Sequence, residues 1–183
     1  ASMLREYVKW DYELRNFAQV EKVVDRALSI AMSEPKGPVY LSLPREVLAE
    51  EHREFTYTPA TPRLYAKPGT DPDAVRQAAE LLRDAKNPLV ITSMVGKNPA
   101  AVGELVKLCE SFAIPVTIAR GNHYMNFPTE HPMHLGFDSS KFVGNSDVIL
   151  VVECDVPWFP IQVKPVPGAK VIQMGIDPFF SRY

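Results

Sequence analysis

The sequence predicts an α/β fold built on a parallel sheet with helices on both faces, and three observations lead to it. Four segments in the second half of the chain are apolar along their whole length, which is typical of strands buried on both sides of a sheet. Segments whose apolar residues recur every three or four positions alternate with them, as helices do. Gly, Pro and Asn separate the two kinds of segment, which is the order expected of parallel strands joined by helices.

Composition places the chain among ordinary globular proteins and argues against several classes of partner. Of its 183 residues, 46% are hydrophobic and 23% are charged, and the formal net charge is -2. That charge offers no attraction to nucleic acid or to an anionic membrane. No apolar run approaches the roughly 18–20 residues that cross a bilayer, and the charged N-terminus lacks the apolar core of a signal peptide. We therefore expect no nucleic-acid partner, no membrane contact and a cytoplasmic location, with Cys109 and Cys154 as free buried thiols.

The first predicted elements are one helix and one strand near the N-terminus. From Asn16 onwards, apolar residues at helical spacing form a stripe, and Asn16 with Gln19 resembles a capping box. The segment GPVYLSLPREV, residues 37–47, holds a short apolar run between turn signals, which predicts a buried strand at residues 39–43. A helix and a strand make half of an α/β unit. The polar, proline-rich residues that follow, to about position 70, predict a linker.

A second and longer set of elements follows the linker. Asp71 before Pro72, and Asn98 before Pro99, are N-cap and first-turn pairs that predict two helix starts. In chain order we predict a helix over 71–86, a strand over 88–92, a helix from 98, a strand over 115–119, a short helix over 140–143, and strands over 147–153 and 169–174. Right-handed crossovers place the carboxyl ends of these strands on one edge of the sheet, where α/β proteins bind ligands.

Four residues on that edge are the predicted ligand-contacting positions, and each has a plainer alternative. Gly96 lies in a turn whose backbone amides could receive a phosphate, or in an ordinary strand-to-helix turn. Arg120 could meet a phosphate or carboxylate, or form a surface ion pair. Asp155 and Glu153, two positions apart, could serve as acid and base, hold a sugar hydroxyl or cap loops. Asp177 could bind a ribose or cap a helix.

The sequence contains no recognisable catalytic or metal-binding motif. There is no Ser-His-Asp set, no Cys-His pair and no cluster of carboxylates. His131 and His134 are three positions apart, but Pro132 between them argues against the helix that such a metal pair would need. For these rings and for His123, capping of loop carbonyls is the simpler interpretation. We therefore predict no catalytic residue and no metal ligand, only a candidate nucleotide-binding edge, and the resemblance described below implies that this edge is vestigial.

The order of several segments resembles that of thiamine-diphosphate-dependent enzymes of the acetolactate synthase group. Relatives in this group include benzoylformate decarboxylase, pyruvate oxidase and oxalyl-CoA decarboxylase. The segments are GPVYLSLPREV, LLRDAKNPLVITSMVG, ELVKLCESFAIPVTIARGN, HPMHLGF, SDVILVVECD and AKVIQMGIDP. Each is weakly specific alone, whereas their order and spacing together are more specific, and they cover nearly the whole chain.

The resemblance implies that the chain holds parts of two domains. Residues 1–50 would be the C-terminal part of a pyrimidine-binding domain, residues 51–70 a linker, and residues 71–183 a Rossmann-like central domain truncated at its C-terminal end. The family's activating glutamate would lie upstream of residue 1, and its GDG motif for Mg²⁺ and diphosphate downstream of residue 183. We therefore expect a fragment, inactive alone, of a 2-oxo acid decarboxylase or carboligase that uses thiamine diphosphate and Mg²⁺.

The resemblance also bears on nucleotides and partners. The central domain of some members binds FAD or ADP, but three departures argue against either here: SMVG replaces a glycine-rich turn, no GMHG segment follows HPMHLGF, and Gly175 replaces the first carboxylate of the DxDP end. The expected partners are the remaining domains of the parent enzyme and further copies, in a homodimer or homotetramer. Residues 1–50, with no sheet of their own to complete, are expected to be poorly ordered or to pack against another copy. The alternative is a stand-alone nucleotide-binding or interaction module without catalysis.

Overall fold

The computed structural model describes residues 2–51, 56–58, 69–121 and 123–176 of the chain. The chain divides into two compact units, residues 1–68 and residues 69–183. Within the described ranges, no helix combines the length and the apolar character needed to cross a membrane.

The first unit is a strand-helix-strand arrangement with a short helix after it. Its elements are 3-10 helices at Ser2–Tyr7 and Phe17–Gln19, β1 (Trp10–Glu13), α1 (Val20–Met32), β2 (Val39–Ser42) and α2 (Arg45–Leu48). The two strands pair in parallel, with Trp10 opposite Val39. Leu14, Val23 and Val47 are buried together between the helices and the strands. The core of this unit is small, because α1, with 13 residues, is the only long helix among the unit's described residues.

The strand β1 was not predicted from the sequence. Its four residues, WDYE, alternate aromatic and acidic side chains, and so short an alternation does not stand out as a strand. By pairing with β2 it gives the predicted helix and strand a sheet of their own, which corrects the expectation that they have none.

The predicted capping box at the start of α1 is wrong. Asn16 precedes the 3-10 turn Phe17–Gln19 and its side chain accepts no cap hydrogen bond. Because that turn comes first, α1 begins only at Val20, and Gln19 is its N-cap, also without a side-chain bond.

The C-terminal end of α1 is held by a lysine side chain. Lys9 Nζ donates to Ser33 O at 2.6 Å, to Ser33 Oγ at 2.7 Å and to Pro35 O at 2.8 Å. A cation at this end also complements the helix dipole. Lys9 therefore fixes the turn that leads from α1 into β2.

Replacing Lys9 with Met is expected to lower the free energy of unfolding of the first unit by about 1–2 kcal/mol, because the carbonyls lose a charged donor while the aliphatic stem is retained. The control is Lys22→Met, on an exposed position of α1, for which we expect a change below about 0.5 kcal/mol. Urea denaturation measures both. Equal losses in the two variants would contradict the assigned role of Lys9.

The second unit contains the larger, four-stranded sheet. Its elements are α3 (Pro72–Asp84), β3 (Pro88–Thr92), a 3-10 turn (Val95–Lys97), α4 (Pro99–Phe112), β4 (Val116–Ile118), α5 (Ser140–Val143), β5 (Val148–Val152) and β6 (Lys170–Met174). The strands are all parallel, in the order β4-β3-β5-β6. The side chains of Asp71 and Asn98 accept backbone hydrogen bonds at the starts of α3 and α4, which confirms both predicted N-caps.

The sheet of the second unit is covered on both faces, which confirms the predicted fold class. One buried cluster packs α4 onto the sheet through Val102, Leu105 and Cys109. The cluster on the other face includes Val143 of α5 and Ile149 of β5. Burial of strands on both sides explains why their sequences are apolar throughout.

Two helix faces are more exposed than the sequence predicted. The helical spacing of Val75, Ala78, Ala79 and Leu82 predicts that they form the buried face of α3. In the structure Ala78 is buried and Leu82 is half-buried, but Ala79 is exposed and Val75 is 41% exposed. On α4 the same spacing predicts an inward Phe112, which is 60% exposed. Periodicity identified the apolar face of each helix but not how much sheet lies beneath it.

The outer edge of β4 is closed by the chain itself. Val116 N–H donates to Met133 O at 2.8 Å, Leu135 N–H donates to Val116 O at 2.7 Å, and Ile118 N–H donates to Gly136 O at 3.0 Å. We call residues 131–136 the edge strap. It satisfies backbone groups that a bare edge strand would leave open to another chain.

Candidate functional site

The carboxyl ends of β3, β5 and β6 are tied together by the backbone of Glu153. Ser93 N–H and Met94 N–H donate to Glu153 O at 3.4 and 2.9 Å, and Ser93 Oγ donates to the same oxygen at 3.2 Å. Glu153 N–H donates to Met174 O at 2.8 Å. Glu153 has φ of 45°, a left-handed backbone that turns the chain away from the end of β5.

The carboxylate of Glu153 also serves the loops of this edge. Its Oε1 accepts from Ile176 N–H at 3.0 Å, and its Oε2 lies 3.9 Å from Lys97 Nζ. Of the sequence alternatives for the Glu153 and Asp155 pair, the Glu153 geometry corresponds to a loop cap. Asp155 itself is exposed.

Gly96 lies against a neighbouring loop of the same chain. Its N–H donates to Asn126 Oδ1 at 2.9 Å. A Cβ added at Gly96 would lie 2.4 Å from Met125 O and 2.7 Å from Tyr124 Cβ. The absence of a side chain thus allows the loop after β4 to approach the turn after β3, and this contact accounts for the glycine without a phosphate.

Asn126 is the residue that joins these two loops, and the sequence analysis missed it. Its side chain is buried, and its Nδ2 donates to Ser93 O and to Tyr124 O, each at 2.8 Å. Together with the bond from Gly96, three of the four hydrogen bonds that an Asn side chain can make go to backbone groups. The sequence around Asn126 shows only a polar residue beside the aromatic Phe127 in an irregular stretch, which does not predict a buried amide.

Arg120 lies in a shallow depression beside α5. The depression is lined by Arg120, Asp138, Ser139, Ser140, Val156, Pro157, Trp158 and Phe159. Ser139 Oγ donates to Pro157 O, which links the start of α5 to the loop after β5. An exposed guanidinium in a depression that Trp158 and Phe159 also line can meet an anionic or aromatic group.

The structure therefore divides the four predicted site residues. Arg120 and the residues directly after Asp155 line one depression, whereas Gly96 is engaged with the loop at residues 124–126. Asp177 lies outside the described residues. The nucleotide-contacting roles of Arg120 and Asp155 stay predictions.

The described titratable groups offer no activated nucleophile and no metal cluster. Among residues 2–51, 56–58, 69–121 and 123–176, no three His, Cys, Asp or Glu side chains group closely enough to hold a metal ion. Burial raises the pKa of the Cys109 thiol to about 12, and it also raises the pKa of Cys154. Both thiols are buried and stay protonated at neutral pH, so neither is a ready nucleophile.

His131 and His134 bind backbone N–H groups rather than carbonyls. His131 Nδ1 accepts from Met133 N–H at 3.1 Å, and His134 Nδ1 accepts from Gly136 N–H at 3.2 Å. Both rings therefore act as loop caps, but the prediction that they cap carbonyls is wrong, because each ring nitrogen accepts from an N–H group. His123 is exposed.

Comparison with known proteins places these features in a family. A family model described as "Thiamine pyrophosphate enzyme, central domain" matches residues 75–181. Sulfoacetaldehyde acetyltransferase of Rhodobacter capsulatus is 28% identical, over 97% of this chain and 31% of its own length. The acetolactate synthase isozyme 1 large subunit of Escherichia coli is 30% identical, over 92% of this chain and 31% of its own length.

Solved structures agree with the sequence relatives. The crystal structure of benzoylformate decarboxylase from Polynucleobacter necessarius matches with a TM-score of 0.74 and 28% identity, covering 92% of this chain and 33% of that one. The chain thus spans about a third of the length of the relatives it matches. Because the family match covers more than half of its residues, the chain belongs to the thiamine pyrophosphate enzyme family, with its central domain at residues 75–181.

Proposed function

We propose that this chain supplies the central domain, and the end of a preceding pyrimidine-binding domain, to a thiamine-diphosphate-dependent enzyme that decarboxylates or joins 2-oxo acids. The observation that carries the proposal is the extent of the likeness. Benzoylformate decarboxylase and acetolactate synthase each match more than nine-tenths of this chain, so the match includes both units, while the chain spans only about a third of either protein.

The cofactor of such an enzyme would be held elsewhere. Thiamine diphosphate, when bound, stabilises the carbanion left after a 2-oxo acid loses CO₂. Its diphosphate is bound through Mg²⁺, a cation that takes clustered oxygen ligands. The described residues of this chain present no such cluster and so do not fit this group. We derive no catalytic step from them and assign the cofactor to the remaining domains of the parent enzyme.

The role of this chain is then structural and oligomerising. Its carboxyl edge supports the structural part of that role, because the groups there are used to join loops of the same unit. Glu153 ties together β3, β5 and β6, and Asn126 ties the loop after β4 to the turn after β3. Side chains engaged in this way hold a frame rigid and are not available to a substrate.

A nucleotide-binding module without catalysis is the second candidate function. The exposed Arg120 in its depression with Trp158 favours it. Against it stands Gly96, whose approach side is filled by Met125 of the same chain. FAD or ADP binding would therefore have to rest on the Arg120 depression without help from the Gly96 turn.

The test compares the 183-residue chain with the product of the full reading frame that encodes it. Isothermal titration with thiamine diphosphate and Mg²⁺, and decarboxylation assays on 2-oxo acids including benzoylformate, are run on both. We expect binding and turnover only for the longer product, and a dimer or tetramer by analytical ultracentrifugation. Binding of thiamine diphosphate by the 183 residues alone would overturn the proposal. A reading frame that encodes only these residues would favour the second candidate.

A further inference from the structure

The edge strap is held by a ring nitrogen where other turns of this chain use an oxygen. His134 Nδ1 accepts from Gly136 N–H, two residues later. Side-chain oxygens make the same contact with the backbone N–H two residues later at Asp71, Asn98 and Asp138. A carboxylate or amide oxygen accepts at any ordinary pH, but an imidazole nitrogen accepts only while it carries no proton. The bond at Gly136 therefore requires a neutral His134 ring.

None of the described groups around His134 compensates the positive charge that protonation places on the ring. Because Nδ1 accepts, the neutral ring carries its proton on Nε2, and this atom is buried without a hydrogen-bond partner among the described residues. The ring lies against Phe127 at 6.4 Å and Phe137 at 5.2 Å between centroids. Burial lowers the pKa of His134, and no neighbouring charge contributes to the shift.

His131 makes the same backbone contact in a different electrostatic setting. Its Nδ1 accepts from Met133 N–H, but its Nε2 lies 3.2 Å from Glu110 Oε1 on α4. A carboxylate is therefore present to compensate a charge on His131. This makes His131 the matched control for His134 within the same strap.

Few other titratable groups lie on the elements around the strap. On α4, Glu110 faces His131, and Cys109 is a buried thiol that stays protonated. The three residues of β4 carry no titratable side chain. Along the loop itself, Glu130 is exposed and the Asp138 carboxylate accepts from Ser140 N–H.

We propose that His134 is an acid-sensitive latch, whose protonation at Nδ1 breaks the bond to Gly136 and releases the edge strap from β4. Gly136 O accepts from both Ile118 N–H and Thr117 Oγ1, at 3.0 and 3.1 Å, so its displacement frees two donors of the strand. A released edge exposes backbone groups that can pair with another strand. The device thus couples acidification to opening of one edge of the sheet.

The direction of the pH dependence follows from the lowered pKa. With the strap closed, the pKa of His134 lies below its ordinary value of 6.5, and an opened strap restores that ordinary value. Above this pH both forms are neutral and the ring has no effect. As the pH falls through it, only the open form binds the proton, so the opening equilibrium constant rises, by at most about tenfold per pH unit. Below the pKa of the closed form, both are protonated and the rise stops.

Amide hydrogen exchange of the 183-residue chain, followed by NMR between about pH 7.5 and about pH 5.5, measures this opening. After correction for intrinsic exchange, we expect the opening constants at Leu135, Gly136 and Ile118 to rise up to about tenfold per pH unit on acidification. The amides of Ile91 and Leu150, in the middle of the sheet, should not follow them.

Two variants assign the effect to one ring. In His134→Asn the amide oxygen can still accept from Gly136 N–H but does not titrate, so the pH dependence should disappear whatever the absolute stability. In His131→Asn it should persist. A wild-type strap whose opening does not change with pH, the same dependence in His134→Asn, or its loss in His131→Asn would each overturn the proposal.

The wild-type chain alone decides the question if His134→Asn does not fold. The ring resonances of His134 and the amide shift of Gly136 should then share one titration midpoint, below pH 6.5. A midpoint at or above that value, or a Gly136 amide that does not follow the ring, would refute the latch.

Discussion

Replacing Asn126 with Ala is expected to lower the free energy of unfolding of the second unit by about 2–4 kcal/mol. The residue is only 2% exposed, and its side chain makes three hydrogen bonds to the backbone, with Gly96 N–H, Ser93 O and Tyr124 O. An alanine side chain can make none of these hydrogen bonds. Each buried group left without a partner costs about 1–3 kcal/mol, and some relaxation of the loops keeps the sum below the largest total. Urea denaturation with a two-state analysis of the second unit measures the loss.

Two further substitutions distinguish the loss of the Asn126 hydrogen bonds from the general effect of removing an amide side chain. Asn145, exposed between α5 and β5, is the matched control, and Asn145→Ala should change the free energy of unfolding by less than about 0.5 kcal/mol. Asn126→Asp keeps the acceptor for Gly96 but points a carboxylate at two carbonyl oxygens, so it should cost at least as much as Asn126→Ala. Similar small losses at positions 126 and 145 would show that Asn126 does not hold the loops together.

The elements of the second unit were predictable because local patterns determine them. The strand β3 was predicted and is observed at residues 88–92, since an apolar run between turn residues marks both of its ends. The starts of α3 and α4 follow from Asp71 and Asn98, whose side chains act within two residues of themselves. A signal of this kind is complete in the sequence, because cause and effect lie in the same few residues.

The features of the fold that the sequence did not predict depend on residues far apart in the chain. The strand β1 is too short and too polar to be seen until β2 pairs with it, 29 residues later. Val75 and Phe112 belong to apolar helix faces, but their exposure depends on where the sheet ends beneath them. Strand pairing and the burial of a helix face are properties of the folded unit, so no short segment of the sequence determines them.

The candidate site shows the same division between local and long-range causes. The rule that ligands meet the carboxyl ends of parallel strands led to Arg120 and Asp155. It could not indicate Asn126, whose partners Ser93 and Gly96 lie about thirty positions earlier in the chain. For Gly96 the sequence left a phosphate-binding turn and an ordinary strand-to-helix turn as alternatives, and the structure places Met125 against the turn.

Replacing Gly96 with Ala is expected to lower the free energy of unfolding of the second unit by about 1–3 kcal/mol, the usual cost of an overpacked contact. The new Cβ would lie 2.4 Å from Met125 O, which is backbone and cannot rotate away. The loop after β4 must move, and the bond from Gly96 N–H to Asn126 Oδ1 lengthens with it. Gly103→Ala is the control of opposite sign. It lies within α4, and apart from the adjacent helix backbone no atom lies within 4 Å of the added carbon, so alanine there should stabilise by about 0.5–1 kcal/mol.

The double variant tests whether Gly96 and Asn126 act as one contact. Since each single substitution disturbs the same hydrogen bond, the combined loss should fall short of the sum of the two by at least about 0.5 kcal/mol. Strict additivity would mean that the two residues stabilise the loops independently. If Gly96 instead exists to admit a phosphate, Gly96→Ala would leave the stability of the ligand-free chain unchanged and would weaken only nucleotide binding. An unfolding free energy equal to that of the wild type would therefore favour the nucleotide role over the packing role at this position.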